Sequence, residues 1–309
     1  MHFSIPKLHL VSCAAAFIPL CAGSVLIAVC ERQLDQAYQS QLYNEVEASH
    51  KALAQAKFQE AEADLRETIE RCRKKARYAN IKIAAEGVLA ELLIRSERNQ
   101  EALPFLVEIS IYNAMCLGER DCRTADAENN LGLVYTKTGF AGEANYCLNK
   151  ALTINESLFG KDSINCAVNL HNLATLKSNL AQYREAESLF KTSLNIKSRV
   201  SPQSHTQAVT LLELSDLYRK QNRLQLSESV GLQALKIYQL PQYRDSLQAA
   251  LCMNNLAATE NRLGKIEEAQ KLYSQALQIA NRSLGADSHL STIYRLNLQN
   301  IATKNTKEN

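Results

Sequence analysis

The chain lacks the short motifs that announce the commonest chemistries. Its 309 residues contain no Gly-rich phosphate loop, no His-Glu-x-x-His, no Gly-x-Ser-x-Gly and no kinase signature. It has no Cys-x-x-Cys and no paired-histidine motif, so no zinc site and no cofactor is implied. Charge of one sign is also lacking: the formal net charge of +3 is too small to demand nucleic acid or an anionic surface as a partner. The six histidines are scattered, with His2 and His9 near the amino terminus. His171 is the one to weigh as a base, but no Ser, Cys or carboxylate stands beside it at a catalytic spacing. An enzyme is therefore the disfavoured reading. What is present is a composition, 46% hydrophobic and 22% charged, ordinary for a folded globular chain.

The amino terminus differs from the rest. From Leu8 to Cys30 there is no Asp, Glu, Lys or Arg, a stretch long enough to span a bilayer as a helix. Residues 1–30 are thus expected to be a signal-anchor helix or a cleaved signal peptide, with Ala22-Gly23-Ser24 offering small residues for cleavage. Lipid attachment at Cys21 or Cys30 ranks behind both, because Leu20 and Val29 precede those cysteines. Lys7 and the free amine outweigh Arg32, which favours the bulk of the chain outside the cytoplasm, membrane-anchored or exported. The basic run Arg71-Cys72-Arg73-Lys74-Lys75-Ala76-Arg77 is taken as a solvated helix face, with lipid contact as the lesser alternative.

Six cysteines remain beyond the leader: Cys72, Cys116, Cys122, Cys147, Cys166 and Cys252. Most read as small packing residues on helices. Cys116 and Cys122, flanking the segment Leu117 to Asp121, are the candidate disulfide.

The chain repeats itself. A small residue recurs as Ala61, Ala102, Ala144, Ala186, Ser227 and Ala269, at intervals of 41 or 42. A leucine column, Leu89, Leu131, Leu173, Leu214, Leu256 and Leu298, keeps the same period independently. Within each period the apolar spacing predicts two helices joined by a turn of a few residues, hence antiparallel neighbours. The small residue lets the second helix approach the first closely. A lone hairpin cannot bury its apolar stripe, so each unit needs its neighbours.

Three groups of residues carry a family resemblance. They are Asn129-Asn130-Leu131-Gly132, His171-Asn172-Leu173-Ala174 and Asn254-Asn255-Leu256-Ala257, then the hairpins around Ala144, Ala186 and Ala269, then the helix ends at Ile154, Ile196 and Ile279. The chain resembles tetratricopeptide repeat proteins, in particular the 42-residue repeats of kinesin light chains. The likeness covers residues 44–301 and is strongest over 125–293. It implies an all-α, right-handed α-solenoid of antiparallel helix pairs, with twelve helices over 44–293 and no strand. The expected layout is a linker or helix at 31–43, then units at about 44–84, 85–126, 127–168, 169–209, 210–251 and 252–293. A capping helix at 294–303 and a disordered tail at 304–309 follow. His205 and His289 fall in loops between units.

Three positions depart from the pattern. Ala48 stands where the first unit wants a large apolar residue. Pro104 should kink or delay the second helix of its pair. Gly231 replaces a bulky residue and should leave the fifth unit loosely packed.

In such a stack the first helices line the concave side. Residues there that break the apolar pattern at matching positions are the binding candidates: Asn129, Asn130, Leu133 and Lys137; His171, Asn172, Thr175 and Asn179; Asp216, Arg219 and Lys220; Asn254, Asn255, Asn261 and Arg262. Asparagine amides both donate to and accept from an extended peptide backbone. The competing role for Asn130, Asn172 and Asn255 is bonding between neighbouring helices. Four basic residues against Asp216 favour an acidic or carboxy-terminal segment. The expected function is a protein-protein interaction scaffold, membrane-tethered or exported, that binds a peptide or protein and not nucleic acid. A ligand-responsive regulatory sensor, with the fifth unit as its hinge, is the alternative.

Overall fold

The hairpins turn on one repeated piece of backbone. The structure is a computed structural model that describes the backbone of residues 20–54 and 57–308 and the side chains of residues 35–52 and 57–301. Among the described residues, a left-handed residue sits in five of the short connections between consecutive helices, at Glu97, Gly139, Ala181, Asn222 and Gly264. The next N–H reaches back five residues: Phe140 to the Tyr135 carbonyl at 3.0 Å, and Gln182 to Lys177, Arg223 to Tyr218 and Lys265 to Glu260, each at 2.9 Å. This closure pairs carbonyls that the helix end would otherwise leave open. Glu97 and Ala181 hold the left-handed conformation at a cost of roughly 1–2 kcal/mol each, which the closed turn must offset, whereas asparagine, as at Asn222, adopts it more readily.

Among the described residues there are thirteen α-helices and no strand. These helices fall into two compact units, divided between Leu92 and Leu93. The first holds α1 (Leu20–Ala54), α2 (Phe58–Arg73) and a single 3₁₀ turn at Ala76–Tyr78; α3 (Ala79–Arg95) crosses the boundary. The second holds α4 (Asn99–Cys116), α5 (Cys122–Thr138), α6 (Ala141–Phe159), α7 (Ile164–Asn179), α8 (Tyr183–Val200), α9 (His205–Lys220), α10 (Leu224–Tyr238), α11 (Leu247–Arg262), α12 (Ile266–Leu284) and α13 (His289–Glu308). There α5 pairs with α6, α7 with α8, α9 with α10 and α11 with α12, and α13 packs on α12. The last helix extends past the 294–303 expected of a cap, through most of the segment expected to be a disordered tail.

The start of the apolar run Leu8–Cys30 lies outside the described residues, and its end from Leu20 is the first part of α1. No helix among the described residues is long and apolar enough to cross a membrane, so an anchor helix finds no support here. The basic run at 71–77 is drawn onto its own unit. Arg71 pairs with Glu45 at 2.9 Å and Arg77 with Asp35 at 2.9 Å, while Lys75 lies over the Tyr38 and Tyr78 rings.

Both sequence columns are core. Ala61, Ala102, Ala144, Ala186, Ser227 and Ala269 have no exposed surface, and Leu89, Leu131, Leu173, Leu214 and Leu256 are buried. A third column marks where first helices begin. Asp121, Ser163, Ser204, Ser246 and Ser288 each accept an N–H from the first turn, at 2.9 to 3.3 Å. Such caps contribute about 1 kcal/mol each.

Each of the three departures is accommodated within the helices. Ala48 is exposed, and Val46 and Ser49 take the inward positions instead. Pro104 lies inside α4 without delaying it, since the helix already begins at Asn99. Gly231 marks a close approach, not slack packing. A Cβ there would lie 3.1 Å from Leu256 Cδ1 and 3.2 Å from Ser215 Oγ. Beside it, Ser215 Oγ donates to the Ser227 carbonyl at 2.7 Å and Ser227 Oγ to the Ser215 carbonyl at 2.8 Å, tying α9 to α10. The fifth unit is therefore tight, and the hinge expected at Gly231 has no basis. Gly231→Val should lower stability by about 1–3 kcal/mol through overpacking. Chemical denaturation measures it; a stabilised variant would mean the site holds unfilled space.

Candidate peptide-binding surface

The first helices α5, α7, α9 and α11 touch one another in succession, α5 to α7, α7 to α9 and α9 to α11, so their free faces form one row. On this row the asparagines divide into two sets. Asn129 Oδ1 accepts from Asn169 Nδ2 at 2.9 Å and from Asn172 Nδ2 at 2.8 Å, which joins α5 to α7. Asn254 Oδ1 accepts from Asn297 Nδ2 at 2.9 Å, joining α11 to α13, and Asn254 Nδ2 donates to Asn255 Oδ1 at 3.3 Å. Asn129, Asn172 and Asn254 thus serve the stack itself. Asn130 and Asn179 are exposed, as is Lys137, while Leu133, Thr175, Asn255 and Asn261 are half-buried. Thr175 Oγ1 is turned to the His171 carbonyl at 3.1 Å.

Three of the four basic candidates, Arg219, Lys220 and Arg262, cluster at one end of the row, and Lys137 on α5 stands at the other. Asp216 holds both Arg219 and Lys220, the latter at 2.9 Å. Arg262 donates to the Arg219 carbonyl at 2.9 Å and to Asn222 Oδ1 at 2.7 Å, so it bridges α11 to the turn after α9. Arg262 and Lys220 remain exposed. Cys116 and Cys122 are exposed free thiols, with Cys122 Sγ 3.9 Å from Asp121 Oδ1.

His171 points into the joint between units. Its ring meets Phe190 edge-on at 5.6 Å and its Nδ1 lies 3.1 Å from Thr210 Oγ1. Desolvation, followed by the field of the nearby Lys197 ammonium, pushes its pKa down to about 3. Lys197, on α8, is the surprise. It is only 2% exposed, and its Nζ donates to Thr210 Oγ1 at 2.7 Å and to the Thr206 carbonyl at 3.3 Å, with no carboxylate paired to it among the described residues. Burial pushes its pKa down to about 8.

Lys197 belongs to a further column that a search by residue type misses. The second helices place Asn113, Asn155, Lys197, Tyr238 and Ala280 at its positions, all buried, 41 or 42 residues apart. The following first helices set Ala127, Asn169, Thr210, Cys252 and Tyr294 opposite, also buried. Asn155 donates to Asn169 at 2.7 Å, while Tyr238, Cys252, Ala280 and Tyr294 share one apolar cluster. Only the period, not the residue identity, signals these positions.

The tetratricopeptide repeat pattern matches residues 123–199 and 248–298, and these segments are tetratricopeptide repeats. No curated protein matches the chain. Among solved structures, BtubC (BKLC) from P. vanneervenii is similar, with 21% identity, a TM-score of 0.59, and coverage of 75% of this chain and 93% of that one. A Podosopora anserina putative kinesin light chain with nearly identical TPR-like repeats gives 19% identity, a TM-score of 0.52, and coverage of 66% and 97%. NprR in complex with its cognate peptide NprX gives 16% identity, a TM-score of 0.66, and coverage of 91% and 80%. At these identities the likeness is one of fold.

The buried amine sets a pH dependence. Folding lowers the pKa of Lys197 from 10.5 to about 8, so the unfolded chain holds its proton more tightly between those values. The cost of burying the charge is present in full below pH 8 and is relieved as pH rises toward 10.5. Relative to Lys197→Met, the native protein should therefore gain up to about 3 kcal/mol across that window. Denaturant titrations of both proteins at pH 7 and pH 10 measure the difference, and an unchanged gap would contradict a charged, unpaired Lys197 at neutral pH.

Proposed function

We propose that this set of tetratricopeptide repeats is a protein-interaction scaffold that binds a peptide segment along the first helices α5, α7, α9 and α11. The observation that carries the reading is the contiguous row of those helices, with Asn130, Lys137, Asn179, Lys220 and Arg262 left exposed on it. Tetratricopeptide folds supply extended surfaces to partners, in keeping with the likeness to NprR bound to its peptide. His171 is half-buried and, with its pKa pushed down to about 3, a poor proton acceptor at neutral pH, which weighs against an enzyme.

The favoured ligand is an acidic or carboxy-terminal segment. Lys137, Arg219, Lys220 and Arg262 together outweigh Asp216, even though Asp216 holds two of them. The apolar run Leu8–Cys30 leads us to place the scaffold at a membrane or outside the cytoplasm. The likeness to NprR, a quorum sensor solved with its cognate peptide, favours a second reading, that this chain is a sensor whose solenoid changes shape when it binds a ligand. A ligand-dependent change in small-angle scattering marks that case.

Two experiments test these readings. Replacing Arg219, Lys220 and Arg262 together by Ala should weaken a partner recovered with residues 31–309 as bait. Stability should change by less than about 1 kcal/mol, because the pairs are exposed or partly so. Full affinity in the triple variant would remove the basic part of the surface from the interaction. On fractionation, the full chain should enter the membrane fraction or be processed, and a chain beginning at Glu31 should do neither. A full chain that stays soluble and unprocessed would refute the tether.

A further inference from the structure

A groove lies on the far side of α5 from the asparagine face. At about 100° per residue, Glu128, Leu131 and Tyr135 fall within an arc of about 60°, while Asn129, Asn130, Leu133 and Lys137 occupy the opposite side. The first three form the floor, with α4 as one wall and α6 as the other, around a volume of about 580 Å³. The walls carry exposed apolar side chains: Ile111 on α4 is 55% exposed and Tyr146 on α6 is 65% exposed.

One missing side chain holds the groove open. Gly142 lines the α6 wall at the position where the later second helices carry Arg184, Gln225 and Glu267. A Cβ at Gly142 would meet nothing within 4 Å, so the glycine is not demanded by packing. The charge in the groove is one-sided as well. Its lining includes two carboxylates, Glu128 and Glu143, and no Lys or Arg. Glu128 is already engaged, accepting from Ser110 Oγ at 2.9 Å and Lys150 Nζ at 2.8 Å. Glu143, exposed at the lip, has no hydrogen bond or ion pair among the described residues.

We propose that the groove between α4 and α6 is a second docking surface, which seats apolar side chains of a partner protein's amphipathic helix and pairs a flanking lysine or arginine with Glu143. A floor of Leu131 and Tyr135 between walls that carry Ile111 and Tyr146 fits the apolar stripe of a third helix, with the Glu128 carboxylate already held by Ser110 and Lys150. The unpartnered carboxylate at the lip selects its charge. This surface is independent of the first-helix row, whose candidates prefer the opposite charge and point the other way.

The test uses the full chain and two fluorescein-labelled amphipathic helical peptides, one of leucine and lysine, the other of leucine and glutamate. Fluorescence anisotropy should give about tenfold tighter binding of the lysine peptide. Gly142→Gln, which supplies the neutral side chain present at Gln225, should weaken that peptide about tenfold, and Gly142→Ala should leave it unchanged. Glu143→Gln should remove the preference between the peptides. The triple Ala variant of the first-helix row should bind the lysine peptide as the unaltered chain does, which separates failure here from failure of the scaffold reading. Both glycine variants sit in open space, and circular dichroism confirms their fold. Equal affinity for the two peptides would overturn the proposal, as would indifference to Gly142→Gln. Self-association of the chain that Gly142→Gln abolishes would assign the groove to a second copy and overturn it too.

Discussion

Everything in the repeated part of the chain depends on how close one helix of a pair comes to the other. At Ala144, Ala186, Ser227 and Ala269 the second helix presents a side chain too small to hold the first away, and none has any exposed surface. Gly132 carries the same constraint from the first helix: a Cβ there would lie 2.7 Å from Leu148 Cγ. Tight pairs in turn leave an apolar face uncovered, and the next unit supplies the cover.

The helical pairing was legible because two columns keep their chemistry. A leucine that stays leucine and an alanine that stays small declare a period whatever lies between them. The polar columns were hidden for the opposite reason. Asn155, Lys197 and Tyr238 occupy equivalent places with unlike side chains, so only position links them. Gly231 was misjudged because a missing side chain looks the same in sequence whether it leaves a void or admits a neighbour. The repeat pattern itself breaks between residues 199 and 248, where Ser227 and Gly231 stand, yet α9 and α10 form there.

The candidate surface was legible in part. Placing residues on first helices follows from the period, and exposure of Asn130, Lys137 and Asn179 follows with it. Which asparagines face a neighbour does not. Asn129 and Asn172 sit 43 residues apart, one step beyond the common spacing, and that offset lets their amides meet across α5 and α7. His171 shows the same limit: its helix position suggested a surface, whereas its ring is half-buried against Phe190 and bonded to Thr210.

The unlike pairs between successive units have a consequence for the order of the chain. Asn155 faces Asn169, Lys197 faces Thr210, and Tyr238 and Cys252 are followed by Ala280 and Tyr294, with bulk passing from one side of the joint to the other. Backbone geometry alone would let any unit follow any other. The side chains do not: loss of the unit between Lys197 and Cys252 by recombination would set a buried ammonium against a thiol, without the threonine hydroxyl that now receives it. A molecule assembled from copies has in this way acquired an address at each joint, and its units can no longer be dealt in a different order.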